Sequence, residues 1–124
     1  METNNRNTKR QIVEKRKGKR FDVFHLDLPV EIKLDNENFT VPGILLDIST
    51  TNIGLLSFKE IKPNTILSFS LNLHNIKTGS IKAKVIWVKE MGNTYRLGLE
   101  FIDISQNDIK NISNFIEEYI KEDF

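Results

Sequence analysis

The stretch from Ile81 to Phe101 reads IKAKVIWVKEMGNTYRLGLEF, and it decides the fold class of this chain. On both sides of Met91-Gly92-Asn93, apolar residues alternate with polar or small ones. Such alternation is typical of half-buried β-strands, and a short turn with glycine between two of them indicates a hairpin. The stretch therefore predicts an antiparallel β-hairpin.

Further runs of alternating residues precede this hairpin. They cover about residues 26–34, 39–48, 53–58 and 67–73, and polar turns such as Lys62-Pro63-Asn64 separate them. Together with the hairpin they make six strands at nearly regular spacing. This spacing favours a small antiparallel barrel or sandwich.

The end of the chain changes to a helical period. Ser105, with Asp108 three residues later, resembles a capping box in which Asp replaces the usual Glu or Gln. Apolar residues then recur at helical spacing, namely Ile109, Ile112, Phe115, Ile116, Tyr119 and Ile120. The sequence predicts one amphipathic C-terminal α-helix that packs on the sheet or against a partner.

Length and composition restrict the function classes. The 124 residues suffice for one domain with one core, and the absence of cysteine excludes disulfides and cysteine zinc sites. The chain has neither an apolar run long enough to span a membrane nor the apolar region of a signal peptide, so we expect a cytoplasmic location. We expect a mobile tail over residues 1–14 and a single domain over residues 15–124.

Charge is distributed unevenly along the chain. Residues 1–20 carry eight basic and two acidic side chains, hence 8 − 2 = +6, and the remainder carries ten basic and fifteen acidic ones, hence 10 − 15 = −5. A flexible basic arm on a mildly acidic body predicts an anionic partner for the arm.

The first candidate motif is the basic segment Lys15-Arg16-Lys17-Gly18-Lys19-Arg20, just before the first strand. Arg16 and Arg20 stand four residues apart, and a guanidinium group offers two parallel donors that suit phosphate or the O6/N7 edge of guanine. The alternative is a solvated basic run or a non-specific nucleic-acid patch.

The second candidate motif is the polar corner Asp47-Ile48-Ser49-Thr50-Thr51-Asn52-Ile53-Gly54, between two apolar strands. An Asp carboxylate can accept hydrogen bonds from guanine N1–H and N2–H₂, and a Ser hydroxyl can donate or accept. Asn52 belongs to the few residue types that accept a positive φ. The alternative is a turn in which Asp47 and Ser49 cap their own backbone.

Taken together, the two motifs resemble the PilZ family. Arg-x-x-x-Arg ahead of a strand is followed there by (D/N)-x-S-x-x-G, and Asn52 stands where that motif ends in glycine. The resemblance covers about residues 15–120. It implies a mainly β fold, namely a six-stranded antiparallel β-barrel with a C-terminal amphipathic α-helix. It also implies that this barrel binds cyclic di-GMP, which PilZ domains often bind as an intercalated dimer of the nucleotide. It implies a ligand site formed by Arg16, Arg20, Asp47, Ser49 and Asn52, with secondary contacts from Lys15, Lys17 and Gly54.

The resemblance also implies a second-messenger receptor of bacterial signalling and not an enzyme. Nucleotide would order the basic arm, and an unidentified protein effector would bind the new surface; the receptor itself would be a monomer or a homodimer. The alternatives are a PilZ-like scaffold that binds no nucleotide and a nucleic-acid-binding barrel. The latter is disfavoured because the strands lack exposed aromatic residues interleaved with basic ones.

Other candidate site residues give weaker signals. His25 and His74 are far apart in sequence and have no cysteine nearby, so we expect neither a metal site nor a cofactor. No phosphate-binding loop motif occurs, and Ser49 has no histidine at a suggestive spacing. Trp87 alternates with Ala83 and Val85, which predicts a side chain in the core or at the barrel rim, with stacking on a guanine as the alternative.

Overall fold

The computed structural model describes the backbone of residues 20–123 and the side chains of residues 20–119. The tail predicted over residues 1–14 lies outside the described residues, as do the candidate ligands Lys15, Arg16 and Lys17.

The described chain is mainly β. Its strands are β1 Phe21–Asp22, β2 Pro29–Leu34, β3 Thr40–Ile48, β4 Asn52–Ser57, β5 Ile66–Phe69, β6 Asn72–Leu73, β7 Ile76–Lys77, β8 Ile81–Met91 and β9 Thr94–Asp103. A short 3₁₀ turn covers Phe24–Leu26, and the helix α1 covers Gln106–Asp123.

The sheet closes on itself as an antiparallel barrel. Its strand order is β1-β3-β2-β5-β8-β9-β4, and β4 returns to pair with β3. Six strands therefore form the barrel, and β1 is an additional strand that pairs with β3 through Phe21–Ile48 and Asp22–Asp47. The predicted fold class, a six-stranded antiparallel barrel with a C-terminal helix, is confirmed.

The turns that the sequence indicated are also present. Gly92 adopts a φ of 74° between β8 and β9, and Asn64 adopts a φ of 72° in the turn before β5. Glycine and asparagine accept this left-handed region more readily than other residues. Gly92 and Asn64 therefore help to fix the two positions at which the chain reverses direction.

Two predicted strands have different bounds in the structure. The run expected from Leu26 begins at Pro29, because the chain first forms the 3₁₀ turn and places Asp27 at a φ of 56°. The run expected over residues 67–73 stops pairing with β8 after Phe69 and continues as the hairpin β6–β7. Alternation persists through this break because Phe69, Leu71 and Leu73 all stay buried. The alternation therefore indicates which residues of the segment are buried, but it does not indicate which strand the segment pairs with.

The helix α1 packs its apolar stripe on the barrel, and Ile112, Phe115 and Ile116 join the buried core. Ser105 Oγ accepts the Asp108 N–H at 3.0 Å, as expected for a cap. The Asp108 carboxylate instead accepts the Gly79 N–H, at 3.2 Å for each oxygen. No helix within residues 20–123 is long and apolar enough to cross a membrane.

Candidate functional site

A bulge in β3 turns Asp47 to the outside of the barrel. Leu45 pairs with Leu55 and Asp47 pairs with Gly54, so β3 has one extra residue between these two pairs. Without the bulge, Asp47 would share the inward face of Leu45, because side chains alternate with a period of two. With it, Ile48 takes the next inward position and is fully buried.

A second bulge, in β8, does the same for Trp87. Val85 pairs with Leu99 and Trp87 pairs with Gly98, which leaves Ile86 as the extra residue. Trp87 consequently faces outward and is 37% exposed. Of the two positions expected for this side chain, the core and the barrel rim, the exposure excludes the core, because strict alternation takes no account of an inserted residue.

Two paired glycines lie between these outward side chains. Gly54 pairs with Gly98 across β4 and β9, which gives a row Asp47–Gly54–Gly98–Trp87 across four strands; we call these four residues the outer row. A Cβ at Gly54 would be 2.6 Å from Asp47 Oδ2, and a Cβ at Gly98 would overlap the indole of Trp87. The glycines therefore allow the carboxylate and the indole to lie against the sheet.

The Asp47 carboxylate is the electrostatic centre of the outer row. The residue is 8% exposed, with Arg20 Nε 3.5 Å from Oδ1 and an Arg96 guanidinium nitrogen 3.5 Å from Oδ2. Burial raises the pKa of Asp47, while the positive charges of Arg20 and Arg96 lower it without cancelling the effect of burial. Oδ1 accepts no hydrogen bond within the described residues, so its contact with Arg20 is an ion pair only.

Arg20 lies between Asp47 and Trp87, the two ends of the outer row. Its guanidinium carbon is 6.0 Å from the centroid of the Trp87 ring, at the outer limit of a cation–π contact. Arg20 therefore contacts the carboxylate and the indole together, and 38% of its side chain remains exposed. Of the two arginines that the sequence singled out, Arg20 lies at the outer row, and Arg16 precedes the described residues.

Arg96 is a site residue that the sequence reasoning missed. It lies in β9 two residues before Gly98, so the two residues share the outer face of the barrel. The alternation of Arg96, Gly98 and Glu100 carried this signal.

The predicted corner after Asp47 is held together by Ser49. The Ser49 Oγ accepts the N–H groups of Thr51 at 3.1 Å and Asn52 at 2.9 Å, and it donates to the Asn52 carbonyl at 3.1 Å. Ser49 is 1% exposed, so its hydroxyl serves the turn that the sequence left open as an alternative. Asp47 does not cap this turn; its carboxylate is directed at the arginines.

Asn52 does not use the backbone conformation expected from its type. It is the first residue of β4, pairs with Glu100, and is not among the described residues with positive φ. The corner closes through Ser49 instead, which removes the need for a left-handed residue. The Asn52 side-chain oxygen accepts the Thr51 hydroxyl at 2.6 Å.

Solved structures share this fold at low sequence identity. The PilZ domain of YcgR from Escherichia coli, with c-di-GMP, has a TM-score of 0.65 and 18% identity over 84% of this chain and 89% of that one. A crystal structure of YcgR from Escherichia coli in complex with c-di-GMP has a TM-score of 0.69 and 20% identity, over 83% of this chain and 45% of that one. The inhibitor of motility MotI/DgrA from Bacillus subtilis has a TM-score of 0.65 and 16% identity, over 82% of this chain and 50% of that one.

The chain spans half or less of the length of the last two proteins. A search of curated proteins found no match. The PilZ domain, as a family, matches residues 14–118, which is most of the chain. This match includes the basic segment, the corner after Asp47 and both bulged strands, and the chain belongs to the PilZ domain family.

Proposed function

We propose that this protein binds cyclic di-GMP on the outer row and acts as a receptor for that nucleotide. The observation that carries the proposal is the buried Asp47 carboxylate, which lies on the outside of a PilZ barrel against two arginines, one of which is also near an indole. Proteins of similar structure support it, since the two YcgR structures contain c-di-GMP and MrkH is a c-di-GMP-dependent transcription regulatory factor.

The chemistry of the outer row suits guanine. A carboxylate accepts the N1–H and N2–H₂ donors of one guanine edge together, whereas adenine has an acceptor at N1. The Trp87 indole offers a flat apolar face for a base, which is the stacking alternative considered from the sequence. Arginine can reach phosphate or the O6/N7 edge in a bidentate manner. The proposed site therefore selects guanine over adenine through Asp47.

In this proposal, guanine replaces Arg20 at Asp47. Arg20 then turns to a phosphate or to the other guanine edge, and Arg16 joins it from the arm. Lys15 and Lys17 would add positive charge near the phosphates.

The corner contributes by its shape. Ser49 holds the turn, Asn52 begins β4, and Gly54 leaves room for the carboxylate. We retain Ser49 and Asn52 as site residues that support Asp47 through the backbone.

The proposed output is a change in the arm. Nucleotide would join the basic arm to the barrel, and the combined surface would be bound by a protein effector. Limited proteolysis within the first 20 residues, with and without cyclic di-GMP, tests this step. Equal cleavage rates at saturating nucleotide would contradict it.

Calorimetric titration of the full chain with cyclic di-GMP, cyclic di-AMP and GTP tests the binding proposal. Each bidentate arginine–guanine contact contributes about 1–3 kcal/mol, so the double variant Arg16→Ala/Arg20→Ala should lose most of the affinity. Lys33→Ala, an exposed cation on β2, is the matched control and should bind as wild type. Failure of the wild type to bind would favour the alternative of a scaffold without nucleotide.

A further inference from the structure

The two arginines at Asp47 are held very differently by the fold. Arg96 lies inside the long strand β9, where it pairs with Leu56 of β4 on one side and Lys89 of β8 on the other. Arg20 precedes the two-residue strand β1 and has no such support on both sides. We therefore expect a ligand to displace Arg20 more readily than Arg96, which is held within the barrel.

The carboxylate also divides its oxygens between the two arginines. Oδ2 is 3.5 Å from Arg96, and Oδ1, which accepts no hydrogen bond within residues 20–123, is 3.5 Å from Arg20. The space above Gly54 is filled by the carboxylate itself. One oxygen is thus anchored to the barrel, and the other faces the group that the proposed ligand would replace.

We propose that Arg96 is the positioning residue of the guanine site: it fixes the Asp47 carboxylate over Gly54 and keeps it ionised while a guanine takes the place of Arg20. The inference rests on the proposed function, and it adds a residue outside both sequence motifs. Arg96 acts through Asp47, since a protonated carboxyl would present a hydroxyl donor toward the guanine N1–H donor.

The charged groups that face Asp47 act on its pKa in opposite directions. Burial and the Asp22 carboxylate on β1 raise the pKa of Asp47, and Arg20 and Arg96 oppose them. The neighbouring strand β4 presents only Gly54 at this position. Once guanine displaces Arg20, Arg96 is the cation among the described residues that still opposes burial and Asp22.

The first test needs no nucleotide. The Asp47 side-chain carboxyl is followed by carbon-13 NMR as a function of pH in the wild type, Arg96→Met, Arg96→Lys and Lys89→Met. Lys89 is the matched control, because it is exposed, lies directly across from Arg96 and has the same charge. The pKa of Asp47 should rise in Arg96→Met, rise less in Arg96→Lys, and stay at the wild-type value in Lys89→Met.

The second test measures cyclic di-GMP affinity of the same variants from pH 5 to 8. For a half-exposed ion pair we expect Arg96→Met to weaken binding about two- to fivefold at pH 7.5 and more strongly at pH 5.5, where more Asp47 is protonated. Lys89→Met should show the wild-type pH profile. An equal loss at every pH, with an unchanged Asp47 pKa, would overturn the inference.

The two tests separate the failure of this inference from the failure of the proposed function. If the wild type binds no cyclic di-GMP, the receptor proposal is wrong, and the NMR titration still decides whether Arg96 governs the ionisation of Asp47. If the wild type binds and the NMR titration of Arg96→Met matches that of the wild type, the receptor proposal stands and the role of Arg96 is refuted.

Discussion

Gly54→Ala should weaken nucleotide binding while leaving the fold intact. A Cβ at this position would stand 2.6 Å from Asp47 Oδ2, whereas ordinary contacts begin at 3.4 Å. The carboxylate must therefore move by about 0.8 Å (3.4 − 2.6). A shift of this size changes its alignment with Arg96 and with an incoming guanine.

The expected loss follows from the contacts that depend on this alignment. A well-aligned pair of hydrogen bonds to a base is worth about 1–3 kcal/mol, so affinity for cyclic di-GMP should fall about 5- to 150-fold. The effect on stability should be small. Displacing the carboxylate costs about 1 kcal/mol, and replacing a glycine in a strand returns about 0.5–1 kcal/mol of backbone entropy.

Gly43→Ala is the matched control on the inner face of the barrel. Its Cβ would stand 2.7 Å from both Ile32 Cδ1 and the Leu56 carbonyl oxygen, and the backbone oxygen cannot rotate away. This variant should lose about 1–3 kcal/mol of unfolding free energy and keep its nucleotide affinity. Urea unfolding and calorimetry on both variants give the comparison. Binding by Gly54→Ala within twofold of the wild type would refute the role assigned to the carboxylate position.

Three further outcomes follow from the structure. Burial raises the pKa of Asp47 above its value in the unfolded chain, so the folded protein loses stability as the pH rises from the unfolded pKa through the folded one. Asp47→Asn should lack this decline. A urea midpoint of Asp47→Asn below that of the wild type at pH 7 would contradict the reasoning. Ser49→Ala leaves the N–H groups of Thr51 and Asn52 without their acceptor and should cost about 1–3 kcal/mol of unfolding free energy; a urea midpoint equal to the wild type would speak against the buried turn. Asp108→Ala should accelerate hydrogen exchange at the Gly79 amide, and unchanged exchange there would show that α1 is held to the barrel by other contacts.

The local pattern of the sequence determined the class of fold. Alternation marked the six barrel strands, the Gly92 and Asn64 turns placed two reversals, and the period of the last segment gave the helix. These features are local, because a half-buried strand or helix must repeat its apolar residues with its own geometric period. The two motifs likewise marked Arg20 and Asp47, which the fold brings together through the pairing of β1 with β3.

The tertiary structure alone decided how the outer row is built. Two bulges turn Asp47 and Trp87 outward, and a bulge depends on the register of neighbouring strands, which no single strand carries in its own pattern. The same register pairs Gly54 with Gly98 and brings Arg96 to the carboxylate from a strand about 50 residues away. The sequence by itself thus determined which residue types could bind an anionic guanine nucleotide. Only the closure of the barrel determined which of them face one another, because contacts between distant strands depend on pairing and not on local periodicity.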